Sequence, residues 1–405
     1  MTRFFSAILV SFLSVALLGC EDGAVTSSTD RSSTPSSETQ VRTDPMPDPA
    51  SVLAGLSSAA GPMRTKSAHG PSSGFSSPLF GLDTAPNGDV LVADAGAGIA
   101  TRSGATDIPL RGVSDMSPLG RRSMWALKGL TGDPGEDTGQ GLYRAAKGQN
   151  RLIVDLYAFE ENQDPDEPMP NNGVDDRAPD SNPFDVQSLG GEAALVADAG
   201  GNDLLRVDNE GNVEVLAVLP DELVPTANFK NLIGCPLEDP PEEQNPCDLP
   251  PELPAQPVAT SVAVGPNGYY YVGELKGFPA PTGESNVWKI APDASWAECG
   301  SSPDCQKLFD GGFTSIIDLR FDDDGTLHVV ELDEKSWLAV EPGFRDFLAG
   351  GTINACDLGA SSAAACTEVA TGIPILTAIT FDKDGTLWAT KNALLPSEAT
   401  VVEIP

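Results

Sequence analysis

The sequence predicts an all-β chain whose folded part closes into a six-bladed β-propeller of four-stranded blades. Three observations predict it. A strand–turn–strand unit recurs six times along the chain. Turn-formers abound, with 41 Gly and 35 Pro among 405 residues, which favours many short strands. No segment offers a long, capped amphipathic helix.

The six copies occupy residues 81–94, 112–127, 184–198, 260–274, 315–331 and 376–391. Each is an apolar strand, a turn rich in Gly, Asp, Asn or Pro, and a second strand, which in all but the second copy ends in a polar residue. The turn residues supply the positive φ angles or Asx bonding that a hairpin requires. Second strands such as Val90-Leu91-Val92-Ala93 are apolar at both parities, as strands covered on both faces must be. In the second copy the turn is worn to Leu119-Gly120-Arg121-Arg122. Weaker strand pairs follow most copies, at 204–208 and 213–219 for example, completing four strands per blade. Uneven spacing puts insertions at 160–181, 220–257, 279–285 and 340–367. Seven blades is the rival count. The chain stops at a strand that is third in its blade, and residues 51–56 are expected to add the fourth and fasten the ring. The propeller then spans residues 77–405.

Residues 1–19 read as an export signal: a short basic start, then an apolar run too short to cross a bilayer comfortably. In Leu17-Leu18-Gly19-Cys20 a small residue precedes Cys20, in the manner of a bacterial lipobox, so Cys20 is expected to be acylated. Two or three acyl chains anchor a protein stably. Residues 20–76 are rich in Ser, Thr, Pro and acidic residues and read as a flexible tether. The expected address is therefore the outer membrane, periplasm or cell surface. Six further cysteines fall into sequence-local pairs, Cys235–Cys247, Cys299–Cys305 and Cys356–Cys366, read as disulfides of an oxidising compartment. No CxxC spacing exists and only His69 and His328 are present, which argues against a zinc site.

A net charge of −35 repels phosphate backbones and excludes nucleic acid as a partner class. It also suits divalent cations. Asp94, Asp198, Glu274 and Glu331 close the second strands of four copies and should gather at one mouth of the channel. There they could hold a cation such as calcium, or simply accept N–H bonds from neighbouring turns. Asp164, Asp166 and Asp180 belong to a dense run of oxygen donors in the 160–181 insertion, a candidate metal-ordered loop although its spacing departs from an EF-hand. No catalytic residue is assigned: there is no GxSxG elbow with a matching base, and His328 lies in an apolar strand.

Three stretches, 180–207, 258–283 and 313–332, resemble the ScyD/ScyE family of secreted propellers with NHL-like repeats. The string GELKGFPAPTG within the second is the most specific, since blade physics does not demand it. The resemblance implies a propeller with an accessory role and carries over no catalytic residue. Function is therefore expected to be non-catalytic binding of a protein, glycan or small molecule at the cell envelope. The alternative is a divalent-metal-dependent hydrolase of the lactonase-propeller type.

Overall fold

Each repeat copy forms the two inner strands of one blade in the computed structural model, which describes residues 74–120, 123–132, 136–166, 180–237, 245–360 and 362–405. Blade one comprises β1 (Leu79–Thr84), β2 (Val90–Asp94), β3 (Gly98–Thr101) and β4 (Thr106–Pro109). Blade two is β5 (Val113–Pro118), β6 (Ser123–Lys128), β7 (Gly141–Ala146) and β8 (Gln149–Asp155). Helix α1 (Leu156–Gln163) leads from it toward blade three, which is β9 (Pro183–Ser188), β10 (Ala193–Asp198), β11 (Asp203–Asp208) and β12 (Val213–Val218). A side hairpin, β13 (Glu222–Pro225) with β14 (Glu252–Ala255), brackets the short helix α2 (Ala227–Leu232). Blade four is β15 (Ala259–Val264), β16 (Tyr270–Glu274), β17 (Ser285–Ile290) and β19 (Cys305–Phe313). Between its last two strands, β18 (Ala297–Glu298) crosses to pair in parallel with β12. Blade five is β20 (Ile316–Phe321), β21 (Leu327–Glu331), β22 (Gly351–Cys356) and β23 (Thr367–Ile373). Blade six has three strands among the described residues, β24 (Ile379–Phe381), β25 (Leu387–Lys391) and β26 (Thr400–Ile404). Residues 51–56, assigned above to its fourth, lie outside the described residues, as do Cys20 and the signal segment. The insertion placed at 340–367 in fact falls at 332–350, because β22 and most of the turn to β23 occupy the later residues.

Side-chain alternation explains why the second strands are apolar at both parities. Successive residues of a strand point to opposite faces, and in a propeller each face meets a different blade. On β10, Ala194 and Val196 pack toward blade two, whereas Leu195 and Ala197 pack toward blade four. On β2, Val90 and Val92 join the blade-six interface while Leu91 and Ala93 join that of blade two. Each fully buried Val or Leu contributes about 1.5–3 kcal/mol.

Turn chemistry sets the registers. In blade five the Asp322 carboxylate accepts the N–H groups of Asp324 and Thr326 at 3.1 and 2.8 Å, and Gly325 takes φ +83° to complete the turn. The three disulfides, Cys235–Cys247, Cys299–Cys305 and Cys356–Cys366, join neighbours in sequence and pin the α2 insertion and two outer hairpins.

The ring is closed by blades one and six. Leu79 N–H donates to Ala393 O at 3.0 Å, Ser77 Oγ to the same carbonyl at 2.9 Å, and Thr377 Oγ1 to Leu79 O at 2.8 Å. Thr377→Val keeps the shape of the side chain but strands the buried Leu79 carbonyl. The expected cost is about 1–3 kcal/mol, read as an earlier urea midpoint, and an unchanged midpoint would show that closure does not depend on this bond.

Candidate functional site

The inner strands place one residue of each blade at an equivalent position on the channel wall: Gly81, Asp115, Asp185, Ser261, Asp318 and Ala378. Two residues further on, facing the same way, stand Asp83 and Arg320 among uncharged side chains. The channel therefore holds four carboxylates around one guanidinium. Asp115 Oδ2 accepts Val186 N–H at 3.1 Å, Asp185 Oδ2 accepts Val262 N–H at 2.6 Å, and Asp318 Oδ2 accepts Ile379 N–H at 2.8 Å. Every one of these bonds runs from one blade to the next. Gly81 makes room for this layer: a Cβ there would stand 1.9 Å from Asp115 Oδ1. Arg320 donates across the channel to Leu82 O at 2.8 Å.

Burial dominates the electrostatics. It raises the Asp115 carboxyl well above its usual range, and the neighbouring Asp185, which hydrogen-bonds it, adds to the shift. Burial likewise pushes Asp318 up to about 7, against the opposing pull of Arg320. For Arg320 burial acts to lower the pKa, but Asp318, Asp83, Asp185 and Asp115 outweigh it and hold the guanidinium charged. The cavity at this layer is about 10 Å³, room for no more than one water.

Above the layer the channel is filled by Phe80, Phe184 and Ile317, with the two rings edge to face at 5.6 Å. Insertions then cover that face. Phe229, Leu232, Leu249, Phe278, Trp337 and Leu338 join the same apolar cluster, and Asn228 Nδ2 ties two of the insertions together through Ala280 O at 2.7 Å and Ser336 Oγ at 3.1 Å.

Asp94, Asp198, Glu274 and Glu331 all sit at the ends of second strands, and all are buried. Three of them clamp the lead-in segment of their own blade. Asp94 Oδ2 accepts Ser76 N–H at 2.7 Å, Asp198 Oδ1 accepts Asn182 N–H at 2.7 Å, and Glu331 Oε1 accepts Thr314 N–H at 2.5 Å. Asp198 takes the Gly200 and Gly201 N–H groups as well. Glu274 instead receives Trp288 Nε1 at 3.0 Å and the buried Lys276 ammonium at 2.8 Å. Lys276 also reaches Glu222 at 2.6 Å, and Lys276 and Lys307 together hold the Glu222 carboxyl down at about 2 against its burial. The four carboxylates are thus engaged in tying their blades together. His328 is buried, with Nε2 3.2 Å from Asp322 Oδ2 and its ring edge-on to Phe381.

The insertion after blade two forms a separate centre. Asp155 caps α1 by accepting Ala158 N–H at 2.9 Å, and Asp164 ends the helix in the left-handed region at φ 38°. The helix buries Leu156 and, one turn later on the same stripe, Glu160. Carboxylate oxygens of Glu160, Asp164 and Asp166 lie within 4.8 Å of one another. Asp180, expected in the same metal loop, stands outside that trio. Burial first, and then the charges of Asp203, Asp198, Asp166 and Asp164, push the Glu160 carboxyl up to about 11. Sequence reasoning missed Glu160 and Asp203. The signal available was a Glu on the apolar stripe of a helix.

A third feature lies at the outer rim. A groove of about 620 Å³ runs between α1 with the end of β8 and the outer strand β12, with Trp296 on its wall. Asn162, Gln163 and Glu214 line it, and the Trp296 indole is 53% exposed. The backbone N–H of Trp296 donates to Val215 O at 3.0 Å and so fixes the segment that carries the indole. An indole within the polar run Pro292-Asp293-Ala294-Ser295-Trp296 was the sequence clue.

No protein-family model and no curated protein matches the chain. Solved structures do resemble it. A catalytically inactive virginiamycin B lyase from Staphylococcus aureus with quinupristin aligns at 13% identity over 82% of this chain and 85% of its own, with a TM-score of 0.43. Regucalcin from Agrobacterium tumefaciens, a calcium-binding protein, aligns at 11% identity over 79% and 84%, with a TM-score of 0.44. A putative oxidoreductase (glucose dehydrogenase) from Thermus thermophilus aligns at 14% identity over 83% and 98%, with a TM-score of 0.43. At these values the likeness assigns neither activity nor ligand.

The channel predicts a pH dependence. Asp318 ionises near 4 when unfolded and near 7 when folded, so below pH 4 both states hold its proton and the folded state keeps its full stability. Stability is lost as pH rises from 4 to 7. Asp318→Asn, neutral throughout and still able to accept the Ile379 N–H, escapes that loss. Relative to the wild type it should gain about 2–4 kcal/mol across this window, measured by urea unfolding at each pH. A difference that stays flat from pH 4 to 8 would contradict the assignment.

Proposed function

We propose that this protein is an exported, lipid-anchored propeller that binds a saccharide at the cell envelope without transforming it, an accessory role of the kind the ScyD/ScyE resemblance implies. The observation that carries this reading is the contrast between the closed channel and the open Trp296 groove. Channel carboxylates are spent on joining blades, and the cavity among them is about 10 Å³ against about 620 Å³ at the rim. The groove combines an exposed indole face with amide and carboxylate side chains, the pairing that suits the apolar faces and hydroxyls of a sugar ring. With a net charge of −35, the protein favours neutral or amino sugars over acidic ones. Three disulfides support an oxidising, exported setting.

A lactonase-type hydrolase would need a metal and an acid–base pair open to substrate. The channel carboxylates of this chain lie in a space too small for one, which favours binding over hydrolysis.

Trp296→Ala should leave the fold intact, since the side chain is 53% exposed, and should weaken saccharide binding at least about tenfold in a glycan array followed by calorimetry. The bound saccharide should be recovered unaltered. Absence of any saccharide binding, or binding that survives the substitution, would refute the reading. The anchor is tested separately: Cys20→Ser should move the protein from the membrane to the soluble fraction, and unchanged fractionation would refute lipidation.

A further inference from the structure

Most buried carboxylates of this protein have hydrogen-bond donors. Asp203 and Glu160 depart from that pattern. Among the described residues, Asp203 is completely buried with no hydrogen-bond partner for either carboxylate oxygen, and Glu160 is 1% exposed with none for its Oε1. They belong to one cluster: Asp203 stands among the charges acting on Glu160, and Asp166 among those acting on Asp203. Burying a carboxylate with neither donor nor counter-charge costs several kcal/mol. Nothing about packing requires it here, since a helix stripe that begins with Leu156 would accept an apolar residue at 160.

We infer that Glu160, Asp164 and Asp166 form a binding site for one divalent cation, of the calcium class, with the Asp203 carboxylate as a neighbouring charge, and that the ion joins the α1 insertion to blade three. Geometry supports a single ion. Calcium takes oxygens at 2.3–2.6 Å, so ligands on opposite sides of it stand about 4.8 Å apart, the span within which the Glu160, Asp164 and Asp166 oxygens lie. An all-carboxylate set without His or Cys selects a hard cation over zinc or copper. The surrounding backbone is shaped for the cluster: a Cβ on Gly201 would come within 3.1 Å of Glu160 Oε2, and Asn202 Nδ2 holds Asp166 Oδ2 at 2.8 Å. Asn202 in turn accepts Val258 N–H at 2.9 Å, which links the site to the first strand of blade four. The ion would also fix α1, which supplies Ala158, Phe159, Asn162 and Gln163 to the rim groove. The inference stands without the saccharide reading.

The full chain, stripped with a chelator, is titrated with calcium chloride by calorimetry and by thermal unfolding. One ion should bind per chain, and Tm should rise by about 4 °C when calcium exceeds Kd a hundredfold. Glu160→Gln and Asp203→Asn each remove a charge with little change of shape. Both should fold in chelator at least as stably as the wild type; Glu160→Gln should lose the binding heat and the Tm rise, and Asp203→Asn, which removes a charge beside the trio, should weaken binding at least tenfold. Asp164→Asn, on the less buried side, should weaken binding at least tenfold. Two results overturn the inference: a wild type indifferent to calcium up to about 10 mM, beyond the range of extracellular calcium sites, or variants that retain the full response, which would place the ion elsewhere on the acidic surface.

Discussion

The innermost strand of every blade is the edge of its sheet, and its channel-side N–H and C=O groups have no ladder partner. A polar side chain from the adjacent blade supplies one. Asp115 reaches Val186, Asp185 reaches Val262 and Asp318 reaches Ile379, while Thr260 Oγ1 donates to Ile316 O at 2.6 Å and Thr377 closes the circle on Leu79. Unsatisfied edge groups in a buried channel are costly, so this set of bonds decides both how the blades sit against each other and what the channel can contain. With short polar side chains turned sideways into neighbouring blades, the centre becomes a packed layer whose one cation, Arg320, balances part of the acid charge.

That arrangement sends function outward. The connections between second and third strands, and between one blade and the next, emerge on a single face because the strands of each blade alternate in direction. The long insertions all belong to that set, and those at 220–257, 279–285 and 332–350 bury apolar side chains over the channel, with Trp337 Nε1 bonded to Lys276 O at 2.9 Å. A covered face on one side and a filled channel beneath leave the outer rim as the place where a wide groove forms. The segment carrying Trp296 reaches it by crossing from blade four to pair with blade three, and Cys299–Cys305 holds that crossing in place.

Buried acids in this protein meet two fates. Asp94, Asp198 and Glu331 receive backbone N–H groups from the segments that precede their blades, so burial is offset by hydrogen bonds and the residues act as clamps. Among the described residues, Asp203, and Glu160 at its Oε1, lack such donors and stand among other carboxylates. Composition cannot separate these cases. What separates them is whether the surrounding backbone turns its N–H groups toward the carboxylate or away from it.

The ring of six was legible in the residues because each copy carries its own evidence: apolar runs at both parities, closed by turns such as Asp322-Asp323-Asp324-Gly325, are local properties that no distant contact needs to supply. Local pairing of the cysteines was legible for the same reason. Partnership between residues far apart was not. Nothing in the run around Asp115 indicates that its carboxyl meets Gly81, Asp185 and Val186, and nothing in the chain before or after Glu160 places Asp203 beside it. Those meetings follow from how neighbouring blades stack. Secondary structure is written in spacing along the chain, whereas the charge environment of a buried side chain is set by the blades that close over it.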